Sequence, residues 1–364
     1  LFFLDAKKRT VNIKDDNSVA FQIRSYGWSI GASYSVVTNM DELAIYDCTA
    51  MPRHTDNADF ARVVYMKTEN YMDNFDRLNS FLGREETISN SHRVRFVGKD
   101  SIDKNFSKAL SSVRLNLAQA IINGNHYKIS IADINLWTQI ILNRILFIRV
   151  CEARGLERDG LLKDFAATDF WTEFKRSSYI DFYEHYDGPM FARIRHIQDL
   201  IIDNAVFDDL LSYLYYPSPY CFDVIPLKSI SDIYDLFLGY HLEYDDSGIL
   251  ENVLKSEFRK SNGAVTTPEH IVHNTIDSTV PSEYLQSLTN QQILDLKFLD
   301  PACGSGVFLV SIYDHLATQI ESNIEERKDV LPHRYLYEKD GKKYLNLEGR
   351  KLIVNQCLHG VDIN

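Results

Sequence analysis

The stretch Phe298 to Leu309, FLDPACGSGVFL, decides the fold of the C-terminal part of this chain. The apolar run Ile293 to Leu299 predicts a buried strand that ends at Asp300, and a helical pattern of apolar residues begins at Val307. Between them, glycines and other small residues predict a tight turn. A strand, a glycine turn and a helix start together place free backbone N–H groups and a positive dipole end beside an open loop. Such a loop is suited to an anionic small cofactor.

A carboxylate further along completes this predicted site. Leu352 to Cys357 is a second apolar run, which we interpret as a strand, and Gly360, Val361 and Asp362 follow it. An acid at the tip of the second strand of a doubly wound sheet accepts hydrogen bonds from ribose hydroxyls. In dinucleotide-binding units this acid lies about 20 residues after the glycines, whereas here it follows the charged insert Glu321 to Arg350. NAD is therefore the poorer cofactor, and an NAD-dependent enzyme is kept as an alternative.

Three strings in this segment match one family. DPACGSGVFL resembles motif I of the adenine-specific DNA methyltransferases of restriction-modification systems, and GVDIN resembles their second motif. GAVTTPEHIV, before a helix predicted from Glu269 onward, resembles their motif X, although Thr266 stands where tyrosine is usual. Thr267 fits the N-cap of that helix and Pro268 its first turn. The resemblance implies S-adenosylmethionine as the cofactor. It implies cofactor contacts from Thr267, Pro268, Asp300, Pro301, Ala302, Cys303, Gly304, Ser305, Gly306, Asp362 and Ile363.

The first residues carry a second candidate site. Leu1 to Leu4 is an apolar run that leads directly into Asp5, Ala6 and Lys7. Because residues two apart on a strand project to the same face, Asp5 and Lys7 can act on one point in space. A carboxylate there is suited to bind Mg²⁺, and a lysine to orient or activate a water for attack on a phosphodiester.

A predicted helix from Val19 to Trp28 follows, in which Gln22 and Tyr26 are four apart and share one face. The order DAKK, QIRSYGWS and the strand-like YSVVTN resembles the PD-(D/E)xK nuclease domain at the N-terminus of single-chain type IIG enzymes. The resemblance implies catalytic roles for Asp5, Lys7 and Gln22 of this sequence, with Asp5 as the metal ligand. The first metal-binding acid of that family lies upstream of this strand. We therefore expect an incomplete metal site in this segment.

Further strands are predicted before a long helical segment. They are Tyr34 to Val37, Leu43 to Tyr46 and Val63 to Tyr65, and a helix is predicted to end near Leu82. The basic run His92 to Lys99 is suited to meet a phosphate, but it is also typical of a solvated edge strand.

Apolar residues then recur at three- and four-residue steps, which predicts a buried helix capped by Ser130 and Gly155. Its predicted stripe consists of Ile134, Trp137, Ile141, Leu142, Ile145, Leu146 and Ile148. A second helix is predicted within Phe222 to Leu242, with Pro226 before it, Ile230, Ile233, Tyr234 and Phe237 on its inner face, and Gly239 at its end. Both stretches resemble the helical connector of type I and type IIG modification subunits.

Composition limits the class of protein. The 364 residues predict about two or three domains, and a hydrophobic content of 45% with 25% charged residues is typical of soluble globular protein. No apolar run reaches the length of a membrane span and the start does not resemble a signal peptide, so we expect a cytoplasmic protein without a membrane partner.

Five scattered cysteines argue against a zinc site and a disulfide framework. Because the net charge is −12, a DNA substrate must meet either a local basic groove or a part of the protein outside this chain.

Together these patterns predict a multidomain α/β protein. Residues 1–100 are predicted to form an N-terminally incomplete PD-(D/E)xK-like α/β domain, 101–255 an all-α helical connector, and 256–364 the start of a class I, Rossmann-like methyltransferase domain. The resemblances to the methyltransferase and nuclease families imply N6 methylation of adenine in double-stranded DNA, coupled to Mg²⁺-dependent cleavage. We interpret the chain as an interior segment of a longer protein, with the N-P-P-Y tetrapeptide and the target-recognition domain further along. This segment alone is therefore not expected to methylate DNA.

Two alternatives of other kinds stay open. One is a defence-system methyltransferase whose nuclease-like region is only a scaffold. The other is a DNA-binding subunit without enzymatic activity, which would bind neither NAD nor S-adenosylmethionine.

Overall fold

A computed structural model describes residues 2–86, 102–186, 189–226, 229–230, 237, 239–255, 267–326 and 331–362. The chain divides into two compact units, Leu1–Arg259 and Lys260–Asn364. Each unit mixes α-helices with small sheets, as a multidomain α/β protein requires. The three domain ranges predicted above stay a prediction.

The first unit begins with a four-stranded sheet in the order β1-β2-β3-β4. Strand β1 pairs parallel with β2, and the pairs β2/β3 and β3/β4 are antiparallel. The predicted strands and helices of this region are confirmed. Their bounds are β1 Phe2–Ala6, α1 Asn17–Ser29, β2 Tyr34–Thr38, β3 Glu42–Asp47, β4 Arg62–Lys67 and α2 Phe75–Leu82, with a 3-10 turn at Thr68–Asn70.

Both faces of this sheet are covered because successive strand residues point to opposite sides. Val37 packs with Ile23 of α1 on one face, whereas Val36 packs on the other face in a cluster that includes Leu78 of α2. Helix α1 starts where the Asp16 carboxylate accepts the N–H groups of Ser18 and Val19, which is an ordinary N-cap. Helix α1 packs on one face of the sheet, where it contacts β1, β2 and β3.

Helices dominate the rest of the first unit. They are α3 Ile102–Gly124, α4 Ile131–Ala153, α5 Leu161–Thr168, α6 Phe170–Ser177, α7 Tyr183–Tyr186, α8 Arg195–Asp199 and α9 Ala205–Leu214, with a π turn at Ser178–Phe182 and a 3-10 turn at Pro189–Phe191. The expectation of an all-α segment is wrong in one place, since β5 Tyr240–Tyr244 and β6 Leu250–Leu254 form an antiparallel hairpin. Leu242 and Leu250 of this hairpin pack against Ala118 and Ile134.

The hairpin begins directly after Gly239, where the second helix predicted within Phe222 to Leu242 is expected to end. The last three residues of that stretch belong to β5. Residues 229, 230 and 237 are helical, whereas Ile233 and Tyr234 lie outside the described residues. Residues Ile230 and Phe237 take part in the large helical core, as their predicted inward face requires.

Helix α4 carries the predicted apolar stripe, and the stripe is buried except for the partly buried Leu146. The Ser130 side chain caps its start by accepting the Asp133 N–H at 3.1 Å, and Gly155 follows its end with a φ of 69°. By length and composition this helix is apolar enough to cross a membrane, so the expectation that no stretch reaches that length is wrong. Its stripe packs inside the protein.

The second unit builds a small parallel sheet and a hairpin around one long helix. The elements are α10 Glu269–Thr279, α11 Ser282–Gln286, α12 Asn290–Asp295, β7 Phe298–Asp300, α13 Val307–Glu325, β8 Leu336–Lys339, β9 Lys342–Leu345, α14 Leu347–Cys357 and β10 Leu358–Gly360, with a 3-10 turn at His333–Tyr335. Strands β7 and β10 are parallel, and β8 and β9 are antiparallel. Ile293, Leu316, Ile320 and Ile353 are buried together in its core.

Two strands of this unit differ from the prediction because helices take over the apolar runs before them: β7 is shorter than predicted, and β10 begins only after the predicted run has ended. The side chain of Thr289 and that of Gln292 form a reciprocal capping box, so residues 290–295 are helical and only 298–300 form the strand. Likewise, the Asn346 side chain accepts the Gly349 N–H at the start of α14. The run Leu352 to Cys357 is therefore helical rather than a strand.

We predict that Leu142→Ala in α4 lowers the free energy of unfolding by about 2–5 kcal/mol, because it opens a cavity at a fully buried position. Leu136→Ala on the same helix is the matched control, since this side chain is 53% exposed and its loss is expected to cost less than about 0.5 kcal/mol. Urea unfolding followed by circular dichroism measures both. Equal losses would contradict the packing of this helix.

Candidate functional site

The predicted cofactor loop leaves the end of strand β7 and stays attached to the end of β10. The two strands pair Leu358 with Phe298 and Gly360 with Asp300. Beyond the strands, the Val361 N–H donates to the Asp300 carbonyl at 2.9 Å, and the Cys303 N–H donates to the Val361 carbonyl at 2.9 Å. The two chain segments are thus joined through the turn itself.

The glycines of this loop are required by its backbone conformation. Gly304 and Gly306 have φ values of 50° and 79°, in the left-handed region that side chains disfavour. A Cβ atom built on either glycine meets nothing within 4 Å, so the space over the loop is open. The Gly306 N–H donates to the Cys303 carbonyl at 2.7 Å and closes the turn. No side chain caps α13, which begins at Val307.

Asp362 points towards this loop. The Gly304 N–H donates to its carboxylate Oδ2 at 2.8 Å, across 58 positions of the chain. At the other end of the turn, the Asp300 carboxylate accepts the Ala302 N–H at 3.1 Å. The two predicted carboxylates therefore flank the turn, and Pro301, Ala302 and Gly304 between them are exposed.

Cys303 and Ser305, the remaining predicted contacts of the loop, are half-buried. Burial raises the pKa of the Cys303 thiol, and the neighbouring carboxylates of Asp362 and Asp300 raise it further. The thiol is therefore protonated at neutral pH. Ile363 lies outside the described residues.

Gly360 is a close-packed position that the sequence reasoning did not single out. A Cβ atom there would come within 2.9 Å of both the Cys303 sulfur and the Leu309 Cδ1. The end of β10 therefore approaches the cofactor loop more closely than a larger residue permits. The sequence feature that could have predicted this contact is the glycine of GVDIN, because a glycine in a strand often marks a close approach of another backbone.

The motif X segment enters helix α10 differently from the prediction. Pro268, with φ −55° and ψ 138°, is itself the N-cap, and no side chain caps the helix. The predicted cap at Thr267 and helical first-turn position for Pro268 are therefore wrong by one residue, because Pro268 keeps an extended ψ. Thr266 lies outside the described residues, and contacts of Thr267 and Pro268 with a cofactor stay a prediction.

The second candidate site is assembled as its spacing predicts. The Lys7 ammonium lies 2.7 Å from the Asp5 carboxylate and donates to the Gln22 Oε1 at 2.7 Å. The Gln22 Nε2 donates to the Tyr26 hydroxyl at 3.2 Å. Strand β1 and helix α1 thus bring four residues into one connected cluster, which we call the Lys7 cluster. The basic run His92 to Lys99 lies outside the described residues.

Tyr26 at the end of this cluster keeps its proton at neutral pH. Burial raises the pKa of its phenol, the hydrogen bond with Gln22 lowers it, and the negative charges of Asp223 and Asp5 raise it further. Asp223 comes from the loop after α9, more than two hundred positions after Asp5. The sequence pattern carried no signal that these residues lie near one another.

Metal binding by this cluster stays a prediction, and Asp5 is the residue predicted to hold the metal. Mg²⁺ in proteins is usually held by one or two carboxylates, with waters and substrate phosphates completing its shell. Asp5 supplies one such carboxylate, and over residues 2–86 and the other described ranges no group of three or more His, Cys, Asp or Glu residues is placed to hold a metal. This ligand set fits a Mg²⁺ ion that is held partly by Asp5 and partly by a substrate phosphate and waters. It does not fit a site in which the protein supplies all the ligands.

Comparison with known proteins found one family model and one curated relative that are similar to this chain. The family model described as MmeI, DNA-methyltransferase domain, matches residues 274–362, which include the cofactor loop and Asp362. The Type II restriction enzyme and methyltransferase RM.Eco57I of Escherichia coli is 30% identical over 375 residues, which cover 99% of this chain. The chain spans 36% of the length of that relative. No solved structure matches. Over nearly its whole length the chain is therefore similar to part of a Type II restriction enzyme and methyltransferase, and residues 274–362 match the MmeI DNA-methyltransferase domain.

Proposed function

We propose that the protein carrying this chain methylates the N6 amino group of adenine in double-stranded DNA with S-adenosylmethionine. The match of residues 274–362 to a DNA-methyltransferase domain supports methylation of DNA. The observation that carries the cofactor assignment is the hydrogen bond from the Gly304 N–H to the Asp362 carboxylate at 2.8 Å. It sets an acid beside an open glycine turn at the carboxyl ends of two parallel strands, where α/β sheets bind nucleotides.

Each part of this loop has a role in holding the cofactor. Asp300 to Gly306 and the uncapped start of α13 are suited to the methionine end, because backbone N–H groups there attract a carboxylate. Asp362 is suited to the ribose hydroxyls. An ionised carboxylate has about four acceptor positions, so it can hold the Gly304 N–H and still accept from a ligand. S-adenosylmethionine, when bound, supplies the methyl group.

The same protein is proposed to cleave DNA with Mg²⁺ at the Lys7 cluster. Asp5 would share the metal with a DNA phosphate, and Gln22 and Asp5 together hold the Lys7 ammonium in one orientation. A fixed ammonium can orient a water or stabilise the charge that develops on the phosphate. Adenine specificity, cleavage, a cytoplasmic location and a target-recognition domain further along the polypeptide are parts of this proposal.

A second candidate function is methylation alone, with the first segment as a scaffold. It is favoured by one observation: in the part of the chain that the structure describes, Asp5 is not joined by further metal-ligating residues in a group of three. The two candidates differ only in whether the Lys7 cluster does chemistry.

We predict that Asp362→Ala weakens S-adenosylmethionine binding at least about tenfold, because a hydrogen bond to a charged group is worth about 1.5–3 kcal/mol. Asp362→Asn is the matched variant, since its amide oxygen can still accept the Gly304 N–H but carries no charge. We expect its affinity to lie between those of wild type and the alanine variant. Calorimetric titration of the full-length protein measures binding, with NAD as the comparison ligand. Tighter binding of NAD would overturn the cofactor assignment.

We predict that Lys7→Ala lowers the rate of Mg²⁺-dependent DNA cleavage about 10²–10³-fold and leaves methylation of the same DNA unchanged. The matched control is Lys8→Ala, because Lys8 is exposed and lies next to Lys7 in the sequence. Both activities are measured on one plasmid that carries the target sequence. Cleavage by Lys7→Ala at the wild-type rate would leave the scaffold interpretation standing.

A further inference from the structure

A cavity of about 360 Å³ lies between helix α1, helix α4 and the loop after α9. Ligand-binding pockets start at about this size. Gln22 and Tyr26 line the cavity, and Gln22 also binds the Lys7 ammonium at 2.7 Å. One end of the cavity is therefore separated from the Lys7 ammonium by a single side chain.

Aromatic rings form much of the cavity wall. Phe21 and Tyr26 of α1 line it from one side, and Tyr216 and Tyr220 line it from the loop. The Phe21 and Tyr216 rings meet edge to face, with centroids 5.9 Å apart. Tyr216 is 59% exposed, so its ring lies at the rim and can stack on an entering group. Rings of this kind bind flat, π-bearing ligands.

The charges of the cavity exclude an anion. Three carboxylates line it, from Glu152, Asp159 and Asp223, against one cation, Arg149. The Arg149 guanidinium is already engaged, since it donates to the Leu214 carbonyl at 2.8 Å and lies 3.4 Å from the Glu152 carboxylate. A phosphate would therefore be repelled, whereas a group that donates N–H hydrogen bonds would be attracted.

Asp159 and Asp223 are the carboxylates that face an entering ligand. Both are exposed at the rim, whereas the Glu152 carboxylate is buried and accepts the Tyr215 hydroxyl and the Leu162 N–H. Exocyclic amino groups of adenine, cytosine and guanine donate to carboxylates of this kind. Thymine has no amino group, so it cannot make that contact.

We propose that this cavity binds one nucleobase of the DNA strand that is cleaved, next to the phosphodiester that lies against Lys7. The acidic, ring-lined cavity suits an amino-bearing base, and the ammonium one side chain away suits the phosphate attached to it. This proposal rests on the proposed cleavage function and adds a preference for adenine, cytosine or guanine over thymine at the nucleotide beside the cut.

The test uses the full-length protein with Mg²⁺ and duplexes that differ only at the two nucleotides flanking each cut. One duplex has an amino-bearing base there, one has thymine and one has an abasic site. We expect kcat/KM for cleavage to fall about tenfold from the first duplex to the other two. Asp223→Asn should lower kcat/KM by a smaller factor on the first duplex, because its amide oxygen still accepts an N–H but carries no charge, and leave the abasic duplex unaffected.

Tyr216 tests the stacking surface in the same assay. Tyr216→Ala should lower kcat/KM on the amino-bearing duplex, and Tyr216→Phe, which keeps the ring, should restore it. 2-Aminopurine at the flanking position should be quenched on binding by wild type and less by the alanine variant. Asp246→Asn is the control, since Asp246 is exposed and does not line the cavity. Thermal unfolding of each variant checks that it is folded.

The outcomes separate the two proposals. If Lys7→Ala cleaves as fast as wild type, the cleavage function itself is wrong. If Lys7→Ala is inactive but the three duplexes are cleaved equally well, or Asp223→Asn affects the abasic duplex as much as the others, the cleavage function stands and the base-binding cavity is wrong.

Discussion

The hydrogen bond between the Gly304 N–H and the Asp362 carboxylate is the contact on which the candidate cofactor site depends. It joins a loop and a strand end that are 58 residues apart, and two backbone hydrogen bonds through Val361 reinforce it. Together they fix the turn in which Gly304 and Gly306 take positive φ values. That turn also starts α13, whose Leu316 and Ile320 pack in the core of the unit.

In the Lys7 cluster, too, hydrogen bonds join two chain segments, but these segments are closer in the sequence. Asp5 and Lys7 share a face of β1 because they are two apart, and Gln22 and Tyr26 share a face of α1 because they are four apart. The parallel pairing of β1 with β2 brings the helix between them back over the strand. A hydrogen-bonded chain of four side chains results, in which each polar group orients the next.

Helix α1 also connects the first sheet to the helical part of its unit. Its Trp28 lies in the large helical core, and the Ser29 hydroxyl donates to the Pro219 carbonyl at 3.0 Å and accepts the Cys221 N–H at 3.1 Å. Gln22, which binds Lys7, and Ser29, which binds the loop after α9, are therefore both on helix α1. This shared helix is why the cavity and the Lys7 cluster are neighbours.

Residue periodicity and local motifs determined much of this protein from sequence alone: the order of the first strands, the buried stripe of α4, the glycine turn at Gly304 and the spacing of Asp5, Lys7 and Gln22. These features depend on contacts within a few residues, which the sequence displays directly. Tertiary structure alone decided the β5/β6 hairpin and the place of Asp223 beside Tyr26, whereas helix caps at Thr289 and Asn346 made the apolar runs before β7 and β10 helical. An apolar run fits a buried strand and a buried helix equally well, and only caps and packing partners choose between them. Proximity between distant segments is likewise set by how the elements pack, because no local pattern encodes it.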